Sequence, residues 1–420
     1  MQIYAASYVL PISSPPIPGG AIAVENGQIT AVGSAAELRR TSGAKVTDLP
    51  GCVIVPGLVN AHTHLELTHF PAWKVRKDLD YLPKTYVEWI RQVMKIRRSL
   101  APGELELSVR EGLRLCIESG TTAVGEILSD FTLAPLYGAS PLSGRIFLEA
   151  IGHDPLLCDA LLERLEATLK SLDGRMLPGL SPHTPHTVSE HLFRGVQELS
   201  RKLGLPKSIH LSESQEEVSF MFDSSGPIAE VLFPMARWEG YLPAPQRATS
   251  TGYLDSIGVL DRSTLAVHAV HVTPGDAALL KLRGVTVCLC PRSNDRLNVG
   301  CAPYLLLKSA GIPLALGTDS LASNDSLSLW DEMRYLQESA PDGFSAEELL
   351  SMATLGGAQA LGIAGQAGSL EAGKRGDFLI FSGCATHPGT SLCARILEKG
   401  RLEQVYLAGR SLPRPPAPSF

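Results

Sequence analysis

The sequence predicts an α/β fold, a parallel (β/α)8 TIM-type barrel with a small β domain built from both chain ends. Three observations support this prediction. Eight short apolar, strand-like runs alternate with helical segments through the middle of the chain. Further β-like runs occupy the first 55 residues and recur near the C-terminus. The 420 residues also suffice for one large domain and a smaller one. A doubly wound sheet is the alternative.

The small β domain begins with a predicted hairpin. Residues 21–24 and 27–33 are β-like, and Asn26-Gly27 between them supplies the positive φ of a tight turn. A two-stranded unit is not stable alone, so we expect it to pair with residues 376–381 and 404–409. The predicted domains are therefore 1–55 plus 366–420 for the small β domain and 56–365 for the barrel.

The barrel strands follow from short apolar runs bounded by turn residues. The first lies at the start of residues 55–66, and the others are predicted at 121–127, 144–150, 176–181, 207–211, 264–269, 285–290 and 312–317. Helices are predicted between them at 87–100, 104–119, 158–172, 189–203, 274–282, 303–310 and 346–361. A longer interruption at 221–252 has the composition of an insertion that could cap a site.

Composition excludes several classes of function. The formal net charge is −6, and no Lys/Arg cluster indicates a nucleic-acid partner. No apolar run is as long as a membrane span, and the N-terminus lacks a secretory signal pattern. The eight cysteines include no C-x-x-C pair, so we expect them to be reduced and the protein to be cytoplasmic.

The first barrel strand carries the main functional signal. It delivers His62 and His64, which share one face because alternate residues of a strand point to the same side. Two imidazoles at a strand end can reach one metal ion. Two ordinary buried histidines are an equal alternative for this pair alone, so the decision rests on the other strands.

Polar residues stand at the carboxyl ends of four more predicted strands, which is where catalytic groups of barrels lie. They are His183 and His186 after the fourth strand, His210 and Glu213 at the fifth, His268 and His271 at the sixth, and Asp319 at the eighth. Three imidazoles and one carboxylate suit a borderline divalent metal, with Zn²⁺ preferred and Fe²⁺ or Mn²⁺ as alternatives. Such a metal lowers the pKa of bound water and makes it a nucleophile. A separate carboxylic acid can then pass protons to the substrate.

These motifs together resemble the amidohydrolase superfamily. The resemblance rests on His62-Thr63-His64, His210-Leu211-Ser212-Glu213, Val267-His268 and Gly317-Thr318-Asp319, and it extends to residues 370–377. The most similar branch contains the S-adenosylhomocysteine, guanine and cytosine deaminases and the triazine chlorohydrolases. The resemblance therefore implies a hydrolytic deaminase that releases ammonia from a small-molecule nucleoside.

The resemblance also implies a role for each residue. His62, His64 and His210 correspond to metal ligands, and Asp319 corresponds to the carboxylate that touches the metal and accepts the proton of water. Glu213 matches the proton shuttle to a ring nitrogen, and His268 matches the histidine that orients the water. His183 corresponds to a substrate-binding histidine. The fourth strand has no lysine at the bridging position, which favours a single metal.

Four arginines suggest a carboxylate on the substrate. Where S-adenosylhomocysteine deaminases carry a ribose-binding carboxylate, an ungapped reading of this chain gives Arg97 and Arg98, while Arg292 and Arg296 follow the seventh strand. Arginine suits a carboxylate ligand, and the stretches around Arg292 and Asp319 resemble aminodeoxyfutalosine deaminases of menaquinone biosynthesis. Their substrate is an adenine nucleoside that carries a benzoate, and it is our preferred substrate.

Other functions stay open. The substrate could instead be S-adenosylhomocysteine, methylthioadenosine or guanine, or the reaction could be a triazine-type chlorohydrolysis. A non-catalytic assembly protein on the same scaffold is disfavoured, because the chain retains every metal ligand. The chain could also form a homo-oligomer.

Overall fold

The computed structural model describes residues 1–40, 44–172, 176–385 and 391–412. The strands within these ranges are, in chain order, β1 (Gln2–Val9), β2 (Ile17–Pro18), β3 (Gly20–Glu25), β4 (Gln28–Ser34), β5 (Lys45–Pro56), β6 (Leu58–Thr63), β7 (Thr121–Leu128), β8 (Ser143–Ala150), β9 (Met176–Pro182), β10 (Lys207–Leu211), β11 (Thr264–His268), β12 (Thr286–Leu289), β13 (Leu314–Leu316), β14 (Phe378–Ser382), β15 (Arg401–Leu407) and β16 (Arg410–Ser411).

The helices in the same ranges are α1 (Ala35–Arg40), α2 (Phe70–Arg76), α3 (Tyr86–Arg97), α4 (Glu104–Glu118), α5 (Ala134–Ala139), α6 (Pro155–Ser171), α7 (Glu190–Leu203), α8 (Gln215–Asp223), α9 (Phe233–Ala236), α10 (Ser250–Ser256), α11 (Pro274–Arg283), α12 (Pro291–Arg296), α13 (Tyr304–Ser309), α14 (Leu329–Ser339), α15 (Ala346–Ser351), α16 (Gly357–Ala360) and α17 (Leu392–Lys399). Short 3₁₀ turns lie at Leu65–Leu67, Phe131–Leu133 and Glu239–Tyr241, and π-helical segments lie at Ile228–Leu232 and Met352–Gly356.

The central sheet is the predicted eight-stranded parallel barrel. Strands β6 to β13 pair in sequence order, each parallel to the next. The first and last strands meet through Asn60 and Thr318, whose side chains and backbone exchange hydrogen bonds of 2.8 and 3.1 Å. A parallel bridge between Thr63 and Asp319 lies beside them. This closure brings the end of the first strand next to the end of the eighth.

The second sheet combines both chain ends, as predicted. The β3–β4 hairpin turns at Asn26 and Gly27, which have φ values of 51° and 81°, and only glycine and a few polar residues adopt such angles readily. Strand β14 pairs antiparallel with β5, so the returning chain completes the sheet order β16-β15-β14-β5-β1-β3-β4. The exact domain bounds stay a prediction.

The structure corrects where the histidine-bearing strand begins. Val55 and Pro56 belong to β5 of the small sheet, and the barrel strand starts at Leu58. The chain passes between the two sheets at Gly57, where an added Cβ would lie 2.1 Å from the Thr122 hydroxyl oxygen. Only glycine fits this passage. Between β6 and the helix predicted at 87–100, where no helix is predicted from the sequence, the chain also forms α2.

Helix α7 shows how local sequence sets the outer layer. Ser189 accepts a hydrogen bond from the Leu192 amide at the N-cap, and Gly204 ends the helix in a left-handed conformation, as these residue types favour. Its apolar face, which includes Phe193 and Val196, is buried against the barrel. The insertion at 221–252 folds over the carboxyl ends of the strands, where Leu232 lines a cavity.

Two features concern the chain as a whole. No helix in the described ranges is long and apolar enough to cross a membrane. The eight cysteine thiols are all free. His387, which we expected to be non-catalytic, and the Pro-rich end of the chain lie outside the described residues.

An ion pair between a buried lysine and a half-buried aspartate lies at the opposite end of the barrel from the site. The Lys207 side chain is fully buried at the start of β10, and its Nζ lies 3.0 Å from Asp261 Oδ2. Asp261→Ala should lower the free energy of unfolding by about 1.5–3 kcal/mol, because a buried ammonium loses a charged acceptor. Urea unfolding measures this. The matched control is Asp255→Ala, because Asp255 pairs with Arg283 on the surface. This substitution should lower the free energy of unfolding by less than about 1 kcal/mol. Equal losses would contradict the prediction.

Candidate active site

Three histidines and one aspartate meet where β6, β10 and β13 end. His62 is fully buried, and its ring centre lies 4.9 Å from the ring centres of both His64 and His210. His64 Nε2 lies 3.2 Å from His210 Nε2. Asp319 Oδ1 lies 3.9 Å from His62 Nε2 and 3.7 Å from His64 Nε2. The structure therefore brings together the four residues that the sequence analysis singled out as metal ligands.

The surrounding hydrogen bonds leave the inward-facing atoms of this cluster free. His210 Nδ1 lies 3.1 Å from the His183 carbonyl oxygen, which favours a proton on Nδ1 and a lone pair on Nε2. Asp319 Oδ2 accepts hydrogen bonds of 2.7 Å from the hydroxyls of both Ser293 and Ser323. Its Oδ1 is then the oxygen that faces the histidines. His210 and Asp319 are thus each oriented by a partner behind them, as metal sites commonly require.

The residues present fit a divalent metal. Neither ring nitrogen of His62 has a hydrogen-bond partner among the described residues, although both are buried. Burial lowers the pKa of His62, His64 and His210 below the ordinary value, so the rings are neutral and can bind a cation. The candidate ligand atoms of His62, His64 and Asp319 lie within 4.8 Å of one another, as do those of His62, His210 and His268. The donor set of imidazoles and a carboxylate suits Zn²⁺.

A second carboxyl group lies beside this cluster. Glu213 Oε1 is 3.6 Å from His268 Nε2, and the Glu213 side chain is hydrogen-bonded to that of Tyr86. Burial raises the pKa of Glu213 to about 7. His268 Nδ1 lies 2.8 Å from Asn294 Oδ1, an acceptor that orients Nε2 toward the cavity. Glu213 and His268 are therefore placed to exchange protons with a ligand.

Glu217 fixes the segment that carries Glu213. Its two carboxylate oxygens accept the backbone N–H groups of Ser212 and Glu213 at 2.8 and 2.9 Å. The Ser250 hydroxyl donates to the same carboxylate. Ser212 has a φ of 52°, an uncommon angle outside glycine, so these bonds stabilise a strained turn that points Glu213 inward.

One cavity of about 430 Å³ is lined by His64, His210, Glu213, His268 and Asp319. Its polar wall includes His183, Glu149 and Arg97, and its outer wall is apolar and aromatic, with Trp89 from α3 and Trp238 from the insertion. The insertion at 221–252 therefore covers the site as predicted. The volume is in the range of small-molecule sites.

The four predicted arginines separate into two groups. Arg97 and Arg98 line the cavity. Arg292 and Arg296 do not line it, because both side chains pair with Asp325 on the surface near α12. Acidic neighbours hold these two guanidinium groups away from the site. The structure thus does not bring Arg292 and Arg296 to the substrate position that the sequence analysis gave them.

Two buried carboxyl groups were missed or assigned differently. Glu149 ends β8 and lines the cavity, a position that the strand-end rule could have found. Metal-bound histidines usually donate their second N–H to an acceptor, and Glu126, at the end of the second predicted strand, is a candidate for that role. It instead accepts hydrogen bonds from Thr63 Oγ1 at 2.5 Å, the Leu65 amide at 2.9 Å and Tyr137 Oη at 2.6 Å. It holds the chain around His64 and does not contact a ring nitrogen.

The remaining weak candidates have structural partners. His271 Nε2 lies 2.9 Å from the Val299 carbonyl oxygen. Asn324 Nδ2 donates to the Thr318 carbonyl oxygen at 2.9 Å and to Glu332 at 2.7 Å, which holds the loop after Asp319. His186 is buried in the cavity wall.

Comparison with known proteins gives a family for this site and fold. The family model described as "Amidohydrolase family" matches residues 53–412. A model of an imidazolonepropionase-like composite domain matches residues 20–41, within the small sheet.

Named relatives are similar over most of their length. The chain is 32% identical to an aminodeoxyfutalosine deaminase of Deinococcus radiodurans, over 82% of each protein. It is 30% identical to a 5-methylthioadenosine/S-adenosylhomocysteine deaminase of Halobacterium salinarum, over 86% of this chain and 79% of the relative. The crystal structure of an adenosine deaminase from Xanthomonas campestris with bound zinc superposes with a TM-score of 0.82 at 27% identity, covering 98% of this chain and 92% of that one. The chain therefore belongs to the amidohydrolase family and, as its sequence predicts, is a hydrolytic deaminase.

Proposed function

We propose that this deaminase uses one divalent metal, with zinc preferred, to release ammonia from an adenine nucleoside. The observation that carries the proposal is the placement of Glu213 and His268, two groups that can exchange protons, in the cavity beside the cluster of His62, His64, His210 and Asp319. The similarity to deaminases of adenosine, methylthioadenosine and aminodeoxyfutalosine supports the substrate class.

Each side chain has a defined task in this proposal. His62, His64, His210 and Asp319 would hold the metal, which when bound lowers the pKa of a water molecule toward neutrality. Asp319 would accept a proton from the attacking water on Oδ1, because Oδ2 already accepts hydrogen bonds from two serine hydroxyls.

Glu213 and His268 act on the substrate ring. Glu213, whose pKa burial raises to about 7, donates a proton to a ring nitrogen as water adds to the neighbouring carbon. When the bond between this carbon and the amino group breaks, the amino group takes the proton that Asp319 received from water and leaves as ammonia. Glu213 recovers a proton from the new hydroxyl group, which becomes the carbonyl of the product. His268 Nε2 faces the same reacting carbon and orients the attacking water.

The experiment is a substrate panel. The metal-loaded protein is incubated with adenosine, methylthioadenosine, S-adenosylhomocysteine, aminodeoxyfutalosine and guanine, and ammonia release and the ultraviolet shift are recorded. We expect turnover of the adenine nucleosides, with aminodeoxyfutalosine preferred. Turnover of guanine alone, or of a chlorotriazine in a parallel assay, would overturn the proposed substrate class. A metal-loaded protein inert toward all of them would favour the assembly-protein alternative.

Arg98 supports a substrate with a carboxylate. It lies exposed on the cavity lining, and its Nη2 donates only a long 3.3 Å bond to the Met235 carbonyl oxygen. In the described ranges no carboxylate lies within ion-pair distance of it. Arg97, in contrast, bonds to Ser129 at 2.7 Å and lies 3.6 Å from Glu66. Arg98 is therefore the arginine whose charge is available to a ligand.

Arg98→Ala should weaken binding of aminodeoxyfutalosine by about tenfold or more, because a charge-assisted hydrogen bond contributes about 1.5–3 kcal/mol. Binding of adenosine, which lacks the benzoate, should change little. Steady-state kinetics with both substrates measure the ratio. Arg292→Ala is the matched control, since Arg292 lies outside the cavity, and it should alter neither substrate. Equal losses for the two substrates in Arg98→Ala would contradict the benzoate assignment.

A further inference from the structure

The third barrel strand, β8, ends with a carboxyl group that the proposed mechanism does not use. The Glu149 side chain is 8% exposed and lines the cavity, and its Oε1 lies 3.9 Å from His183 Nε2. His183 Nδ1 lies 2.7 Å from the Thr187 hydroxyl, which fixes the ring. The ring centres of His183 and His210 are 4.9 Å apart. A carboxyl and an imidazole thus lie next to each other, and the imidazole adjoins His210 of the candidate metal site.

The neighbours of Glu149 use only part of its hydrogen-bonding capacity. The Ser129 hydroxyl donates its single hydrogen to Glu66 Oε2 at 2.5 Å and accepts from Arg97 Nη1 at 2.7 Å. Glu66 also accepts the backbone N–H groups of Ser129 and Asp130. Glu66 is therefore the anion that balances Arg97, which lies 3.6 Å away.

Glu149 is a second buried carboxyl on this wall. Burial raises its pKa to about 7, whereas the charge of Arg97 and a hydrogen bond with Ser129 act in the opposite direction and favour its ionised form. Its second oxygen then faces the cavity as an acceptor.

This wall is suited to neutral hydroxyl groups. A hydroxyl can donate to a carboxyl oxygen and accept from an imidazole N–H, so two neighbouring hydroxyls match Glu149 and His183. A carboxylate ligand would be repelled by Glu149 in its ionised form, and a cation would be repelled by Arg97 on the same wall. With the adenine base bound near Glu213 and His268, the sugar of the nucleoside lies about the width of one ring further out, beside this wall.

Building on the proposed function, we propose that Glu149, together with His183, binds the sugar hydroxyl groups of the nucleoside and makes the enzyme select ribonucleosides over deoxynucleosides. The assignment rests on the position of Glu149 in the cavity wall and on the 3.9 Å between its Oε1 and His183 Nε2. It gives Glu149 a role in substrate specificity.

The test combines a substrate series with a matched pair of variants. The fastest nucleoside of the panel and its 2′-deoxy and 3′-deoxy forms are assayed with the wild type, Glu149→Leu and Ile151→Ala. Ile151 lines the same cavity two residues further along and carries no polar atom. Metal content and thermal unfolding are recorded for each variant.

The wild type should prefer the ribonucleoside over at least one deoxy form by about ten- to hundredfold in kcat/KM. Glu149→Leu should erase most of this preference by slowing the ribonucleoside, whereas Ile151→Ala should affect all sugars alike. A wild type without sugar preference, or a Glu149→Leu variant that keeps it, would overturn the inference while leaving the deaminase assignment intact. If no nucleoside reacts, the proposed substrate class and this inference both fail. If Glu149→Leu does not fold, Glu149→Asp replaces it, because shortening the side chain should also reduce the preference.

Discussion

Replacing Glu213 with Gln is expected to lower turnover by about 10²–10⁴-fold, the usual contribution of a general acid–base group, while the bound metal is retained. The amide has nearly the same shape but cannot donate and recover a proton. Glu213 lies 3.6 Å from His268 and is not part of the cluster formed by the candidate ligands, so metal content should stay at the wild-type level. Steady-state kinetics and elemental analysis of the same preparation measure the two quantities.

Glu217→Gln is the matched control for this prediction. Glu217 is also buried and lies four residues away, but it contacts backbone N–H groups and not the cavity. Glu217→Gln should lower turnover less than Glu213→Gln does, because the remaining side-chain oxygen still accepts a hydrogen bond from the backbone. Wild-type turnover in Glu213→Gln would mean that another group, such as Asp319, carries the proton.

Replacing His62 with Ala is expected to lower zinc affinity by at least about 100-fold and to abolish turnover with it. Removing a group that only supports a ligand lowers metal affinity by about 10–100-fold, so the loss of a ligand itself should have a larger effect. His62 is a candidate ligand, because its two buried ring nitrogens have no partner in the described ranges. Competition with a chromogenic chelator measures the affinity without relying on activity.

His191→Ala controls for the loss of a histidine as such. His191 is exposed and bonds to Asp159, far from the cluster. The His191→Ala substitution should leave zinc affinity unchanged. Wild-type affinity in His62→Ala would place the metal elsewhere and would contradict the proposed ligand set.

Much of the fold was predictable because it follows from local patterns. All eight barrel strands lie within a few residues of their predicted positions, and 207–211 matches β10. The hairpin at Asn26-Gly27 was predictable because its turn demands positive φ. The start of β6 was not predictable, since the apolar run 53–59 continues from the small sheet into the barrel. Only the close approach of Gly57 to Thr122 marks the boundary between the two sheets.

The metal-binding and proton-transfer candidates were predictable because parallel strands of a barrel end at one face. His62, His210, Glu213, His268 and Asp319 follow that rule, and the structure gathers them. The arginines were not predictable in the same way, because their positions depend on helices and loops. Arg292 points to Asp325 on the surface, a contact that spacing along the chain does not reveal. Glu149 obeys the strand-end rule, but a lone glutamate is not distinctive in sequence.

The most direct measurement is anomalous diffraction at the zinc edge from crystals of the metal-loaded protein. We predict one peak, about 2.0–2.2 Å from nitrogens of His62, His64 and His210 and from an oxygen of Asp319, with Glu213 outside bonding distance. A fully occupied second peak would contradict the single-metal site. A peak away from these four side chains, or none at full zinc loading, would contradict both the proposed metal site and the proposed function.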